Sequence, residues 1–303
     1  MIFHPPRSTG LAFGLAGVAL LAALDVLLVQ LLRTLPLSFL TFILFCLLLA
    51  SLPVAALLGY RSYALARARY VLSRNALLVE WGGRRLVVPM AMIREARLGA
   101  DFEGELRPRG IVWPGNLVGR ANVAPLGAVE FLAAAEKPAL VLVKHPEGWL
   151  ALSPGDPQVF LSFLTGLQAA GPEDVLELQS EVPAFRRWDL WRDRVALALV
   201  ALGGLSALAL LGYLLLVYPG LPSEIPLHFD AQGQPDSRGA PAGLLILPLM
   251  AGLAWAVNTL GGLWLYRRET ERAGAYLLFA GAVAVQALVW VATIGLLMAG
   301  RSA

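Results

Sequence analysis

The chain has 303 residues, 58% of them hydrophobic and 15% charged, and its mean hydropathy is +0.68. Soluble globular domains carry charge on about a quarter of their residues, so an ordinary soluble protein is excluded and a bilayer must take up the apolar excess. The formal charge of +3 is mild, and arginines flanking apolar spans account for it, so no nucleic-acid partner is expected. The single cysteine, Cys46, falls inside a predicted span, which leaves no disulfide framework and no cysteine-based metal site.

The pattern predicts two membrane spans, then a mixed strand-like module, then three more spans. The first span, 11–32, is long enough to cross the hydrocarbon core and too long for the apolar stretch of a signal peptide, so it is expected to be retained. Asp25 sits in its outer half, where an acidic side chain is either functional or satisfied at the headgroups or by a neighbouring helix. The second span, 37–58, returns after the short turn at Leu35-Pro36, which makes the two helices antiparallel neighbours. If five spans alternate, Arg7, Arg61, Arg67, Arg69, Arg186, Arg187, Arg192, Arg194, Arg267, Arg268 and Arg272 share one side, and Arg33, Arg238 and Arg301 the other. The positive-inside rule then places the N-terminus and the module in the cytoplasm and the C-terminus outside.

From Tyr70 the period changes to that of strands. Segments 70–73 and 76–81 flank a turn at Arg74-Asn75, and Gly82-Gly83 is a two-residue hairpin signal leading into 84–89. Further strands are predicted at 129–133, 139–145 and 149–152. Asp156 is placed as N-cap of a helix with Pro157 at its first position. Phe160, Phe163, Leu164 and Leu167 follow at helical spacing and give one apolar face. These elements spell an open, curved antiparallel sheet or barrel closed by one C-terminal helix.

The stretch 68–169 resembles the bacterial pleckstrin-homology-like (PH-like) domains of membrane proteins. The likeness rests on the opening Tyr-x-Leu-Ser strand, Trp81-Gly-Gly-Arg-Arg85, Arg107-Pro-Arg-Gly-Ile-Val-Trp-Pro-Gly115, Gly119-Arg120, Leu126-Gly127 and Ala151-Leu-Ser-Pro154 ahead of Asp156-Pro157. The resemblance implies a binding or scaffolding fold and not a catalyst. It does not carry over phosphoinositide binding: lipid-binding members cluster basic residues in the first hairpin loop, and that loop offers only Arg74 here.

Segment 98–125 reads as irregular and holds the module's unassigned chemistry. Arg107, Arg109, Trp113 and Arg120 combine positive charge with an aromatic ring, which suits an anionic surface or an acidic patch on a partner. The plainer reading is solvated arginines with Trp113 covering the mouth of the barrel. Segment 171–181 reads as an acidic linker. It passes into Phe185-Arg-Arg-Trp-Asp-Leu-Trp-Arg192, where Trp188 and Trp191 read as interfacial anchors beside basic residues.

The third span, 195–217, carries Gly203, Gly204, Ser206, Ala207 and Gly212, small residues that allow close helix approach. Asn258 in the fourth span, 244–265, and Gln286 in the fifth, 275–298, read as inter-helix hydrogen-bonding groups or, in a carrier, as ligands. Between the third and fourth spans runs Pro219-Gly-Leu-Pro-Ser-Glu-Ile-Pro-Leu-His-Phe-Asp-Ala-Gln-Gly-Gln-Pro-Asp236. Its four prolines preclude a regular helix and imply a compact, turn-rich loop across 218–242. His228 and Asp230 would share a face if extended. The run resembles the Leu-Pro-x-x-Ile-Pro-x-His-Phe-(Asn/Asp)-x-x-Gly-x-Pro-Asp signature of a bacterial membrane domain of unknown function, found also in SdpI-type immunity and signalling proteins. It departs in having Asp230 where Asn is common and only Arg238 as the basic residue before the next span.

Glu224, His228, Asp230 and Asp236 are the candidate recognition residues of this loop; the alternative is that they cap turns. As a metal site, His228, Asp230 and Asp236 match zinc or copper preferences poorly. Ser223 with His228 lacks an orienting third group for hydrolysis. No catalytic residue and no cofactor is expected. The expected organisation is a transmembrane hairpin at 1–60, the PH-like module at 61–170, a linker at 171–194 and a three-helix domain at 195–303. The expected role is a non-enzymatic sensory, regulatory or scaffolding adaptor whose partners are the bilayer and a protein. The alternative is a carrier or toxin-immunity-type factor whose working part is the bundle with Asp25, His228, Asp230, Asn258 and Gln286.

Overall fold

A computed structural model describes residues 1–174, 176–181, 189–229 and 235–302. In chain order the elements are β1 (Ile2–Phe3), α1 (Ser8–Thr34), α2 (Phe39–Ala66), β2 (Arg69–Leu72), β3 (Ala76–Trp81), β4 (Arg84–Pro89), β5 (Glu95–Leu98), β6 (Leu117–Val123), β7 (Gly127–Ala133), β8 (Val141–His145), β9 (Gly148–Leu152) and α3 (Pro157–Ala170). They continue with β10 (Gln179–Glu181), α4 (Arg194–Val217), β11 (Ile225–Phe229), β12 (Pro235–Gly239), α5 (Ile246–Tyr266) and α6 (Arg272–Ser302). Among the described residues, five helices are long and apolar enough to cross a membrane, namely α1, α2, α4, α5 and α6 with their short extensions. The chain is an α+β membrane protein. It divides into two compact units, one formed by 1–26 and 50–184, the other by 27–49 and 185–303.

In the first unit the strands form two five-stranded sheets, ordered β1-β2-β3-β4-β10 and β5-β8-β9-β7-β6, and the barrel is not closed. The sequence implied an all-antiparallel sheet, yet β7 and β9 pair in parallel, Val129 opposite Trp149. Side chains alternate faces along a strand. Val141, Val143, Leu150 and Leu152 therefore enter one core with the first sheet and α3, while Leu140, Leu142, Trp149 and Ala151 enter a second. Burial on both faces explains why these strands read as continuous apolar runs. Segment 98–125 is only partly irregular: it contains β6, and its Phe102 and Leu106 roof the second core.

Tyr70 ties the sheets together. Its ring is fully buried, its hydroxyl donates to the Leu132 carbonyl at 2.6 Å, and it accepts from the Ser153 amide at 3.3 Å. Helix α3 starts as expected, with the Asp156 carboxylate accepting from the Gln158 and Val159 amides at 3.1 and 3.0 Å. Phe160 and Leu164 are buried completely and Leu167 partly, whereas Phe163 is 37% exposed and lies off the core face. The expected linker also holds β10, which pairs with β4.

The second unit packs α4, α5 and α6 around Ala196, Tyr266, Ala275 and Phe279, with a further cluster of Leu214, Ile225, Leu244 and Leu297. The proline-rich run is not merely turn-rich. It forms the antiparallel hairpin β11–β12, with register shifts around His228, and Ile225 seats it on the helices. Trp188 and its basic neighbours Arg186 and Arg187 lie outside the described residues; Trp191 is exposed.

Candidate functional site

The site of most interest is built on a turn. Trp113-Pro-Gly-Asn116 closes with the Asn116 amide donating to the Trp113 carbonyl at 2.9 Å, and Gly115 has φ of +82°. Proline followed by a glycine at positive φ is the composition of a type II turn. The turn presses on the start of α1 so closely that a Cβ on Gly10 would stand 2.0 Å from the Gly115 carbonyl oxygen. The Trp113 indole donates to the Gly10 carbonyl at 3.0 Å. From α2, Arg61 lies over the Trp113 ring at 5.3 Å, donates to the Val118 carbonyl at 2.7 Å and also reaches the Ile111 carbonyl. Trp113 thus anchors the module's long loop to the two membrane helices.

Arg109 and Arg120 form a β-bridge, with the Arg109 amide donating to the Arg120 carbonyl at 3.1 Å. Arg107 and Arg109 are exposed and line an open depression of about 420 Å³ with Glu105 and Asn122. Arg120 is exposed and reaches the Glu130 carboxylate only at 3.5 Å. The structure therefore puts Arg107 and Arg109 in one depression, joins Arg120 to Arg109 through the backbone bridge, and places Trp113 with Arg107 along a neighbouring depression of about 280 Å³. Arg61 and Gly10 were not among the candidates of the sequence; the Pro-Gly pair at Pro114-Gly115 was the available signal.

Arg74, the one basic residue of the β2–β3 turn, is engaged: it donates to the Gly171 carbonyl at 2.9 Å and pairs with Glu173 at 2.5 Å. Asp25 accepts from the Ser51 hydroxyl at 2.5 Å, across the α1–α2 hairpin. Asn258 donates to Ala254 within α5, and the fully buried Gln286 donates from α6 to the Ala251 carbonyl of α5, both at 2.8 Å. Each of these polar groups is engaged in holding a helix, as hydrogen-bonding side chains do in bundles. Glu224 is exposed just before β11. His228 stands in β11 opposite Ser237, Asp236 in β12, and Asp230 lies outside the described residues.

A second network ties together one end of the α4–α5–α6 bundle. The Asp193 carboxylate accepts from the Val195 and Ala196 amides at 3.1 and 3.0 Å, capping α4, and from the hydroxyls of Tyr266 at 2.7 Å and of Tyr276. Those hydrogen bonds, that of Tyr276 foremost, lower its pKa to about 2.

Residues 68–168 match the family model of the bacterial PH domain, and residues 205–252 match that of a domain of unknown function, DUF1648. A stretch of 54 residues is 48% identical to an uncharacterized protein of Archaeoglobus fulgidus. That stretch is 18% of this chain and spans 30% of the relative's length. No solved structure matches the chain. The likeness is thus to two families in separate parts of one membrane protein: the bacterial PH domain in the strand-rich module, and DUF1648, the domain of SdpI-type proteins, around the β11–β12 hairpin.

Proposed function

We propose that the chain is a non-enzymatic adaptor of the bacterial cytoplasmic membrane. In this reading the PH-like module lies on the cytoplasmic side and receives an acidic segment of a protein partner on Arg107, Arg109 and Arg120. One observation carries the reading: the loop bearing these arginines is clamped to α1 and α2 through Trp113 and Arg61, so its outer charges are held on a membrane-fixed body. A preorganised surface loses little freedom on binding, and exposed guanidinium groups suit carboxylate recognition. The segment between α4 and α5, which carries Glu224, His228, Asp230 and Asp236 in the sequence, would be a receiving surface outside the cytoplasm, as the arginine distribution assigns it.

Photocrosslinking and affinity capture from native membranes test this, comparing the wild type with Arg107→Glu/Arg109→Glu/Arg120→Glu. Reversing the charges is expected to remove the captured protein while insertion is unchanged. An identical captured set would sink the assignment. Trp113→Ala should weaken the same capture, because it releases the support and leaves the charges in place.

A further inference from the structure

The first unit holds a second basic cavity, of about 570 Å³, lined by His4, Arg67, Arg69, Glu80, Arg84, Arg85 and Glu181 around the Gly82-Gly83 turn. Ligand pockets span about 300–1,000 Å³, so its size is that of a small-molecule or headgroup site. It sits at the opposite end of β3 from Arg74, and so away from the hairpin loop that serves lipid binding in PH domains. Its walls adjoin the helix ends: Arg67 directly follows α2, and His4 precedes α1. The Gly83 amide donates to the Tyr60 hydroxyl of α2 at 3.3 Å. Tyr60 and Tyr63 are exposed beside it, as aromatic residues are at a membrane–water interface.

The charges in this cavity are unbalanced. Arg84 is buried, pairs with Glu130 at 3.0 Å and donates to Ser180 at 2.7 Å, while its Nε has no hydrogen-bond partner. Arg69 and Arg85 share the single Glu80 carboxylate from the two neighbouring strands. Among the described residues Arg67 has no carboxylate partner, and it rests on the Tyr63 ring at 5.2 Å. With the Arg84–Glu130 pair set aside, Arg67, Arg69 and Arg85 face, among the described residues that line the cavity, the two carboxylates Glu80 and Glu181. Guanidinium groups fit phosphate oxygens in bidentate fashion, and a site level with the interfacial tyrosines meets lipid headgroups before it meets solutes. The geometry points to a site for the phosphate of an anionic phospholipid, held between the β3–β4 turn and the end of α2.

The test is native mass spectrometry of the full chain released from nanodiscs of phosphatidylcholine doped with phosphatidylglycerol. The wild type should retain phosphatidylglycerol selectively. Arg67→Gln/Arg85→Gln should lower that retention about 25-fold, each arginine near an anionic surface contributing about five-fold. Glu80→Gln removes the carboxylate shared by two arginines and should raise retention, a gain that damage to the fold would not produce. Equal retention of both lipids, or selectivity unchanged in both variants, overturns the assignment. Displacement of the lipid by inorganic phosphate at matching concentration overturns the lipid source and assigns the cavity to a soluble phosphate.

Discussion

Asp193 concentrates several contributions in one carboxylate. It caps α4 and accepts the hydroxyls of Tyr266 from α5 and Tyr276 from α6, so one charge organises three helix ends. Because its folded pKa is lowered to about 2, its stabilisation is present above the unfolded carboxylate value and is lost as pH falls from there through about 2. Solvent screens this partly exposed group, so the loss is on the order of 1 kcal/mol. Thermal unfolding in detergent should show an acid-dependent drop in Tm over that window, absent from Asp193→Asn, which begins destabilised at neutral pH. Gly10 makes the complementary point at residue scale, since the position tolerates no side chain against the Gly115 carbonyl.

At the scale of elements, α3 is the clearest case of sequence dictating structure. An Asp156 cap, Pro157 at the first turn, and Phe160 and Leu164 one turn apart are sufficient to start the helix and aim its face. Asp156→Ala should cost about 1 kcal/mol, and Phe160→Ala about 3–5 kcal/mol because the ring fills the core shared by the two sheets. Chemical denaturation of the full chain, followed by tryptophan fluorescence, checks the ranking; equal effects would mean that α3 does not seal that core. Two of the elements that the sequence did not show have a common cause. β10 is exposed at all three residues, and β6 alternates weakly around Gly119 and Arg120, so neither bears the burial pattern that marks a strand. The β11–β12 hairpin did carry a signal in the period-two spacing of Ile225, Leu227 and Phe229, masked by the prolines, which an edge strand accommodates.

For the whole molecule, the arginine distribution predicts sidedness. On a Cys46→Ser background, Ser237→Cys in β12 should react with a membrane-impermeant thiol reagent added outside intact spheroplasts. Thr165→Cys in α3 should react only after lysis. Reversed labelling would invert the topology and move the arginine surface and the basic cavity to the outer face.

Sequence alone determined the five apolar helices, the interposed strand-rich module, the capped helix that closes it and the two family likenesses, because span length, side-chain period and cap chemistry are local properties. Only the tertiary structure decided that β7 and β9 run parallel, that Trp113 and Arg61 join the loop to the helices, and that Arg67, Arg69 and Arg85 share one cavity. Those facts depend on contacts between residues far apart in the chain, such as Gly10 with Trp113, which neither periodicity nor composition encodes.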